Sequence, residues 1–341
     1  MKRISTIMGI FFLITLISSI QLTTALAQSD IMDAFKGKKI KFIVHYGPGG
    51  GYDSAARTLA PFIEKYTGAR VVIVNIPGAG GLNGMNTLWK AKGDGLTIGL
   101  ISGLTAVSNQ MAGLKGVKFD LKNFAWLGRI SPTPFVFAVS SSGQFKSIED
   151  VLKADRPLKI GTTGRGNAIT VAAQMTSEAI GMDIKLILGF NSTAEIFVSI
   201  MRGDIDGVTT VRDTVLSQVR SGLITPVLYL DMQKSEIFPE TPSFGDLNLP
   251  KDKLIYAESM SYFGQLGRLL AGPPKLDKKM ENHLKSAIWQ ALSDPDYLAT
   301  TKKFEQDVEP LKGDASHDLV IRTLNAPPEI QQIIKDAFKQ E

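Results

Sequence analysis

The residues of this chain best suited to chemistry are glycines and hydroxyls, and the work they suit is the capture of an anion. Tyr46-Gly47-Pro48-Gly49-Gly50-Gly51-Tyr52-Asp53 follow an alternating, strand-like run over 39–44. A helical pattern comes next: Ala55, Ala56, Leu59, Phe62, Ile63 and Tyr66 recur at three- and four-residue spacing, Asp53 or Ser54 can cap the start, and Gly68 can end it. A loop without side chains is thus delivered to the mouth of a helix. There, unpaired backbone N–H groups and the positive end of the helix dipole favour an anion, each contact contributing about 0.3–1 kcal/mol. Two more loops have the same character, Pro77-Gly78-Ala79-Gly80-Gly81 after a strand over 71–75 and Thr162-Thr163-Gly164-Arg165-Gly166-Asn167 after a strand over 158–161. A third strand-like run over 96–101 ends at Ser102-Gly103-Leu104-Thr105, whose hydroxyls emerge on the same side. Glycines in one such turn also serve positive φ and tight packing. Several such loops together point to one shared small-molecule site at the carboxyl ends of parallel strands.

Enzymatic alternatives fit the spacing less well. Counting G-x-G-x-x-G from Gly47 puts Tyr52 where the last glycine belongs, and the next strand ends at Asn75 instead of an acid that holds a ribose. The loop from Gly161 has the first and sixth glycines of a phosphate loop, but Asn167 takes the lysine position and Ala168 the hydroxyl position. His45, His283 and His317 are scattered, there is no cysteine, and neither H-x-x-x-H nor G-x-S-x-G occurs. His45 adjoins the central loop and reads as a packed side chain at a strand end. Asp204 and Asp206 read as turn residues before a strand.

The elements that must position these loops alternate between strand and helix from Lys39 onward, which predicts an α/β fold with mainly parallel sheets and crossover helices. Composition breaks at Ser131-Pro132-Thr133-Pro134 and at Phe238-Pro239-Glu240-Thr241-Pro242 divide the chain. The division predicts lobe 1 from 28–134 plus 263–341 and lobe 2 from 135–262, with crossing strands at 135–139 and 262–270. Amphipathic helices near the carboxyl end, carrying Met280, Leu284, Ile288 and then Ile330, Ile334, Phe338, are expected to cover lobe 1.

Ahead of the fold, Lys2 and Arg3 precede an apolar run over 7–20, and Ala25-Leu26-Ala27 has the pattern of a signal-peptidase site, so residues 1–27 read as a signal peptide cleaved after Ala27. The apolar run is shorter than the roughly 20 residues of a spanning helix. Without cysteine the exported chain depends on its core instead of disulfides. Removing Lys2 and Arg3 takes the formal charge from +5 to +3, too small a surplus for a nucleic-acid surface and only a mild welcome for anions.

The same residues resemble a known family. Tyr46-Gly-Pro48-Gly49-Gly50 with Asp53, Ala56 and Arg57, then Asn75-Ile-Pro77-Gly78-Ala79-Gly80-Gly81 with Gly84, then Asp94-Gly95-Leu-Thr97, are similar to the extracytoplasmic solute receptors of tripartite tricarboxylate transporters, the Bug family. The likeness continues through Gly161-Thr162-Thr163-Gly164, Arg202-Gly203-Asp204-Ile-Asp206 and Glu240-Thr241-Pro242-Ser-Phe-Gly-Asp246.

The resemblance implies a two-lobed periplasmic binding protein, type II-like, that closes on a small carboxylate and hands it to a membrane permease. It implies a monomer, no cofactor, no metal and no catalysis. Ligand contacts carried over by position are Tyr46, Gly49, Gly50, Asp53, Ala79, Gly80, Ser102, Thr105, Thr162, Thr163, Asn167 and Thr210. The family often has an acid where Thr210 stands, a serine at Asn167 and a histidine at Thr170. Thr162, Thr163, Asn167 and Thr210 offer neutral hydrogen bonds and Arg165 a cation at the rim, so the expected ligand is a carboxylate without an amine. An exported small-molecule enzyme using the glycine loops as an anion site, and a ligand sensor for a signalling system, stay open on the sequence.

Overall fold

The chain builds two sheets, and the way they are wired brings their functional ends together. The computed structural model describes residues 34–163, 167–190, 192–304 and 306–338. The expected signal peptide over 1–27, the loop tip Gly164-Arg165-Gly166 and Asn191 lie outside these residues. In order come β1 (Lys39–Val44), α1 (Gly51–Thr67), β2 (Arg70–Asn75), α2 (Leu82–Trp89), β3 (Thr97–Ser102), α3 (Gly103–Met111) and β4 (Ala125–Arg129). They are followed by β5 (Phe135–Ser140), α4 (Ile148–Leu152), β6 (Leu158–Gly161), α5 (Ala168–Ile180), β7 (Ile184–Ile187), α6 (Thr193–Arg202), β8 (Gly207–Val211), α7 (Arg212–Arg220) and β9 (Ile224–Tyr229). The chain ends with α8 (Lys251–Leu266), β10 (Arg268–Gly272), α9 (Lys278–Leu292), α10 (Pro295–Lys303), β11 (Leu311–Lys312), α11 (Gly313–Leu324) and α12 (Pro328–Phe338).

The first sheet has the order β11-β4-β10-β3-β1-β2 and the second β7-β6-β8-β5-β9. The result is a two-lobed α/β fold, but each sheet is mixed where mainly parallel sheets were expected. β1 runs parallel to β2 and β3, while β10 is antiparallel to both β3 and β4. In the second sheet β6 is parallel to β7 and β8, while β5 is antiparallel to β8 and β9. The antiparallel members adjoin the two passages between the sheets: the short segment from β4 to β5, and the return from β9 through α8 to β10.

Register fixes which residues share an end. Val44 lies opposite Asn75 and Leu100, so the loops after β1 and β2 and the end of β3 leave side by side. Arg268 is the Cα partner of Ser102, which brings the start of β10 to that same end. In the second sheet Gly161 pairs with Ile187, Phe135 with Val211 and Val136 with Tyr229, so its strand ends also converge on the passage over 130–134.

Two elements depart from expectation. β4 was not anticipated; its buried Trp126 pairs with Ala271 of β10, about 140 residues on, and its other edge pairs with β11. The segment 262–270 was expected as a returning strand. It is the end of α8 followed by the start of β10, because α8 packs against α5 and α11 at once and buries Met260, Phe263 and Leu266 between them. Gly267 makes the turn at φ +52°, where an added Cβ would stand 2.0 Å from the carbonyl oxygen of Ser131.

One face of the first sheet buries Ile40, Phe42, Ile98 and Leu100 against α1 and α9. The other, with Ile43 and Ile101, joins a cluster that runs through Met260 and Phe263 to Phe137 and Val171 of the second sheet. α12 packs on α5, α3 and α8, so it touches elements of both lobes and not the first alone.

Candidate ligand-binding site

The end of the first sheet is wired by His45. Its Nδ1–H donates to the carbonyl of Leu100 at 2.8 Å, which leaves Nε2 to accept the backbone N–H of Ser102 at 3.3 Å. These partners fix the neutral tautomer, and burial lowers the imidazole pKa to about 4, against a partial rise from the Leu100 bond. Gly81 and Gly84 permit this close approach: a Cβ on Gly81 would meet the ring 2.5 Å away. Next to it, the Tyr46 hydroxyl lies 3.1 Å from the Thr105 hydroxyl, and Ser102 Oγ donates to that hydroxyl at 3.0 Å. Burial raises the phenol pKa of Tyr46 and of Tyr52, which keeps both as neutral hydrogen-bonding groups. Their rings meet edge to face at 5.0 Å.

Asp53 holds the glycine loop in place. Its Oδ2 accepts the Gly49 N–H at 2.9 Å and Arg57 Nε at 2.9 Å, and its Oδ1 accepts from Asn75 at 3.0 Å. Asn75 donates also to the Tyr46 carbonyl at 3.0 Å. The Arg57 bond foremost, with those from Gly49 and Asn75, holds the carboxyl at about 2 against the counteracting effect of burial. Asp53 is therefore an anchor for the loop, while Gly50 caps α1 without a side-chain bond and has only the Gly47 carbonyl near its Cβ position, at 3.9 Å. In the second glycine loop Ala79 and Gly80 both adopt left-handed φ, +48° and +61°. Strain at a non-glycine residue of this kind is characteristic of binding loops.

On the second sheet, Thr162, Thr163 and Asn167 form one cluster. Asn167 caps α5 by accepting the Thr170 N–H at 2.9 Å and donates to Thr163 Oγ1 at 2.8 Å. The Thr162 and Thr170 hydroxyls lie 2.5 Å apart. Thr210 stands in β8 opposite Val136 and is buried, one residue from Thr209, whose hydroxyl donates to the Ile169 carbonyl at 2.9 Å. The expected residues thus fall into two groups, one at the converging end of each sheet.

Sequence reasoning, which placed Asp213 near the site, missed Arg212, Arg268 and Asp307 between them. Arg268 donates through Nη1 to Ser131 Oγ at 2.9 Å, lies over the Tyr52 ring at 5.6 Å and has Nη2 3.7 Å from Asp213 Oδ2. Asp213 Oδ1 in turn accepts from Arg212 at 3.0 and 3.1 Å, and Arg212 is ion-paired with Asp307. A chain of alternating charge therefore runs between elements that hold the two sheets. Beside it the passage encloses a concavity of about 470 Å³ lined in part by Pro132, Pro134, Arg212, Tyr229 and Asp307. The available signal was Arg268 as the one charge between Gly267 and an apolar run.

The model of the tripartite tricarboxylate transporter family receptors matches residues 55–335. The chain belongs to this family. These receptors are periplasmic solute-binding proteins, and no helix of the described residues is long and apolar enough to cross a membrane. The UPF0065 protein in the tcbD-tcbE intergenic region of Pseudomonas sp. (strain P51) is 25% identical to the receptor over 95% of this chain and 89% of its own length. A TctC solute binding protein from Polaromonas superposes with a TM-score of 0.72 at 20% identity, covering 88% of this chain and 98% of that one. MatC from Rhodopseudomonas palustris, with bound malate, superposes with a TM-score of 0.67 at 16% identity, over 87% of this chain and 99% of that one.

Proposed function

We propose that this receptor captures a small carboxylate between its lobes and delivers it to a membrane permease of the tripartite tricarboxylate type. The observation that carries the reading is the Gly49-Gly50-Gly51 loop, pinned by Asp53 at the mouth of α1 and flanked by the linked hydroxyls of Tyr46, Thr105 and Ser102. Backbone N–H groups at a helix start and neutral hydroxyls are suited to a carboxylate. Thr162, Thr163, Asn167 and Thr210 supply polar contacts from the other lobe, and Ala79 and Gly80 close the near side. The malate of MatC is a carboxylate of the expected kind.

Capture rather than catalysis is favoured by the state of the candidate acid and base. Both nitrogens of His45 are engaged by backbone, and both oxygens of Asp53 are engaged by donors. In this reading the lobes comprise 28–134 plus 263–341 and 135–262, the mature chain is a monomer that begins after Ala27, and closure bends the passages near 130–134 and Gly267.

The test is a thermal-shift and calorimetric screen of the mature protein against succinate, malate, adipate, citrate, benzoate, aspartate and glutamate. A ligand at 100 times its dissociation constant adds about 2.7 kcal/mol to stability. Binding of a carboxylate without an amine, with a smaller radius of gyration in X-ray scattering, is expected. Silence across the panel overturns the reading, whereas tighter binding of aspartate or glutamate overturns only the expectation that the ligand lacks an amine.

A further inference from the structure

Arg268 has fewer partners than a buried guanidinium requires. Its side chain is 14% exposed, yet Nε is buried with no acceptor among the described residues. Nη1 donates to Ser131, and Nη2 reaches Asp213 only at 3.7 Å, beyond hydrogen-bond range. Asp213 is drawn instead to Arg212, which it accepts twice through one oxygen. An unsatisfied buried donor is costly, and more so on a charged group. The surroundings add to the excess of positive character: a Cβ on Gly51, the first residue of α1, would lie 3.6 Å from Nη2, so the guanidinium sits against the positive end of that helix. Arg268 is also the strand partner of Ser102, whose hydroxyl belongs to the linked set with Thr105 and Tyr46.

We propose that Arg268 is a ligand-binding residue: it forms an ion pair with a carboxylate held at the mouth of α1, and that carboxylate displaces the loose contact with Asp213. The inference rests on the carboxylate-capture reading and deepens it, replacing purely neutral capture by a charged clamp. A carboxylate can take two parallel N–H bonds from one edge of a guanidinium, so one oxygen meets Nη2 and the other Nε. Because Asp213 belongs to α7 and Arg268 to β10, the exchange also frees an inter-lobe contact as the ligand enters. Asp213 stays balanced by Arg212, so it does not become a site for an ammonium group.

Calorimetry with malate, succinate and adipate tests this on the wild type, Arg268→Gln, Arg268→Lys and Asp213→Asn, each checked for folding by its melting curve. Arg268→Gln is expected to weaken the best-bound acid by about 10- to 100-fold, the effect of losing a hydrogen bond to a charged group. Arg268→Lys keeps the charge without the fork and is expected to fall between. Asp213→Asn removes the competitor and is expected to bind as tightly as wild type or more so. Wild-type binding with an unaltered Arg268→Gln affinity overturns this inference alone. So does a loss in Asp213→Asn as large as that in Arg268→Gln. A wild type that binds none of the acids overturns both this inference and the carboxylate reading. Should Arg268→Gln not fold, the Lys and Asn variants decide: undiminished binding by Arg268→Lys, or weakened binding by Asp213→Asn, counts against the clamp.

Discussion

The imidazole of His45 accepts the backbone N–H of Ser102 at 3.3 Å, a bond that exists only while the ring is neutral. Because the same ring donates to Leu100, protonation both charges a buried group and breaks the tie between β1 and β3. With a pKa of about 4 in the fold against 6.5 when unfolded, the unfolded chain binds more protons between those values. Stability is then complete above pH 6.5, falls as pH drops, and levels below 4; the loss by pH 5 is about 2 kcal/mol. Urea unfolding at pH 7 and pH 5 measures it. His45→Gln is expected to flatten the slope, with a remainder from His283, whose pKa burial also lowers.

Gly50→Val separates binding from folding. Gly50 has φ −83° and ψ 171°, ordinary extended backbone, and the nearest atom to a new Cβ is 3.9 Å away. The fold is expected to change by less than about 0.5 kcal/mol, as at other open sites. A branched side chain nevertheless covers the N–H groups at the mouth of α1. Loss of ligand-induced stabilisation with an unaltered melting temperature is the expected pair of results.

Asn167→Ala removes the acceptor for the Thr170 N–H and the donor to Thr163. Loss of such a cap costs about 1 kcal/mol. Affinity is expected to fall as well, because Thr163 loses the partner that orients its hydroxyl; denaturant curves and calorimetry on one preparation give both numbers.

Gly267→Ala places a methyl group 2.0 Å from the Ser131 oxygen and 2.6 Å from Pro132 Cα, at a φ of +52°. Backbone crowds backbone here, so no side chain can yield. A loss of about 3 kcal/mol or more is expected, comparable to other strained backbone positions. A variant that melts with the wild type would show that the passage relaxes freely.

The sequence made the glycine loops legible because their structure is local: a strand, a stripped turn and a capped helix lie within about thirty residues of each other, and register does the rest. Asp53 was read as a helix cap and a ligand contact; its bond to Gly49 is local, but its bond to Asn75 appears only when β1 and β2 lie side by side. Elements defined by distant partners were hidden. β4 pairs with β10 and β11 across long separations, and α8 buries Ala257, Met260, Phe263 and Leu266 between two bodies, which erases the single apolar stripe of a surface helix. Arg268 was hidden for the same reason: its place beside Ser102, Tyr52 and Asp213 comes from an antiparallel pairing that no local pattern announces.

The position of β10 between β3 and β4 sets a timetable for the chain as it is made. Strands β5 to β9 of the second sheet are consecutive, so that sheet has all its strands once Tyr229 has emerged. The first sheet cannot join β4 to β3 until Arg268–Gly272 arrives, well after its own first four strands. Translation therefore delivers the early strands without their central partner, and their unpaired edges remain open to other chains in the interval.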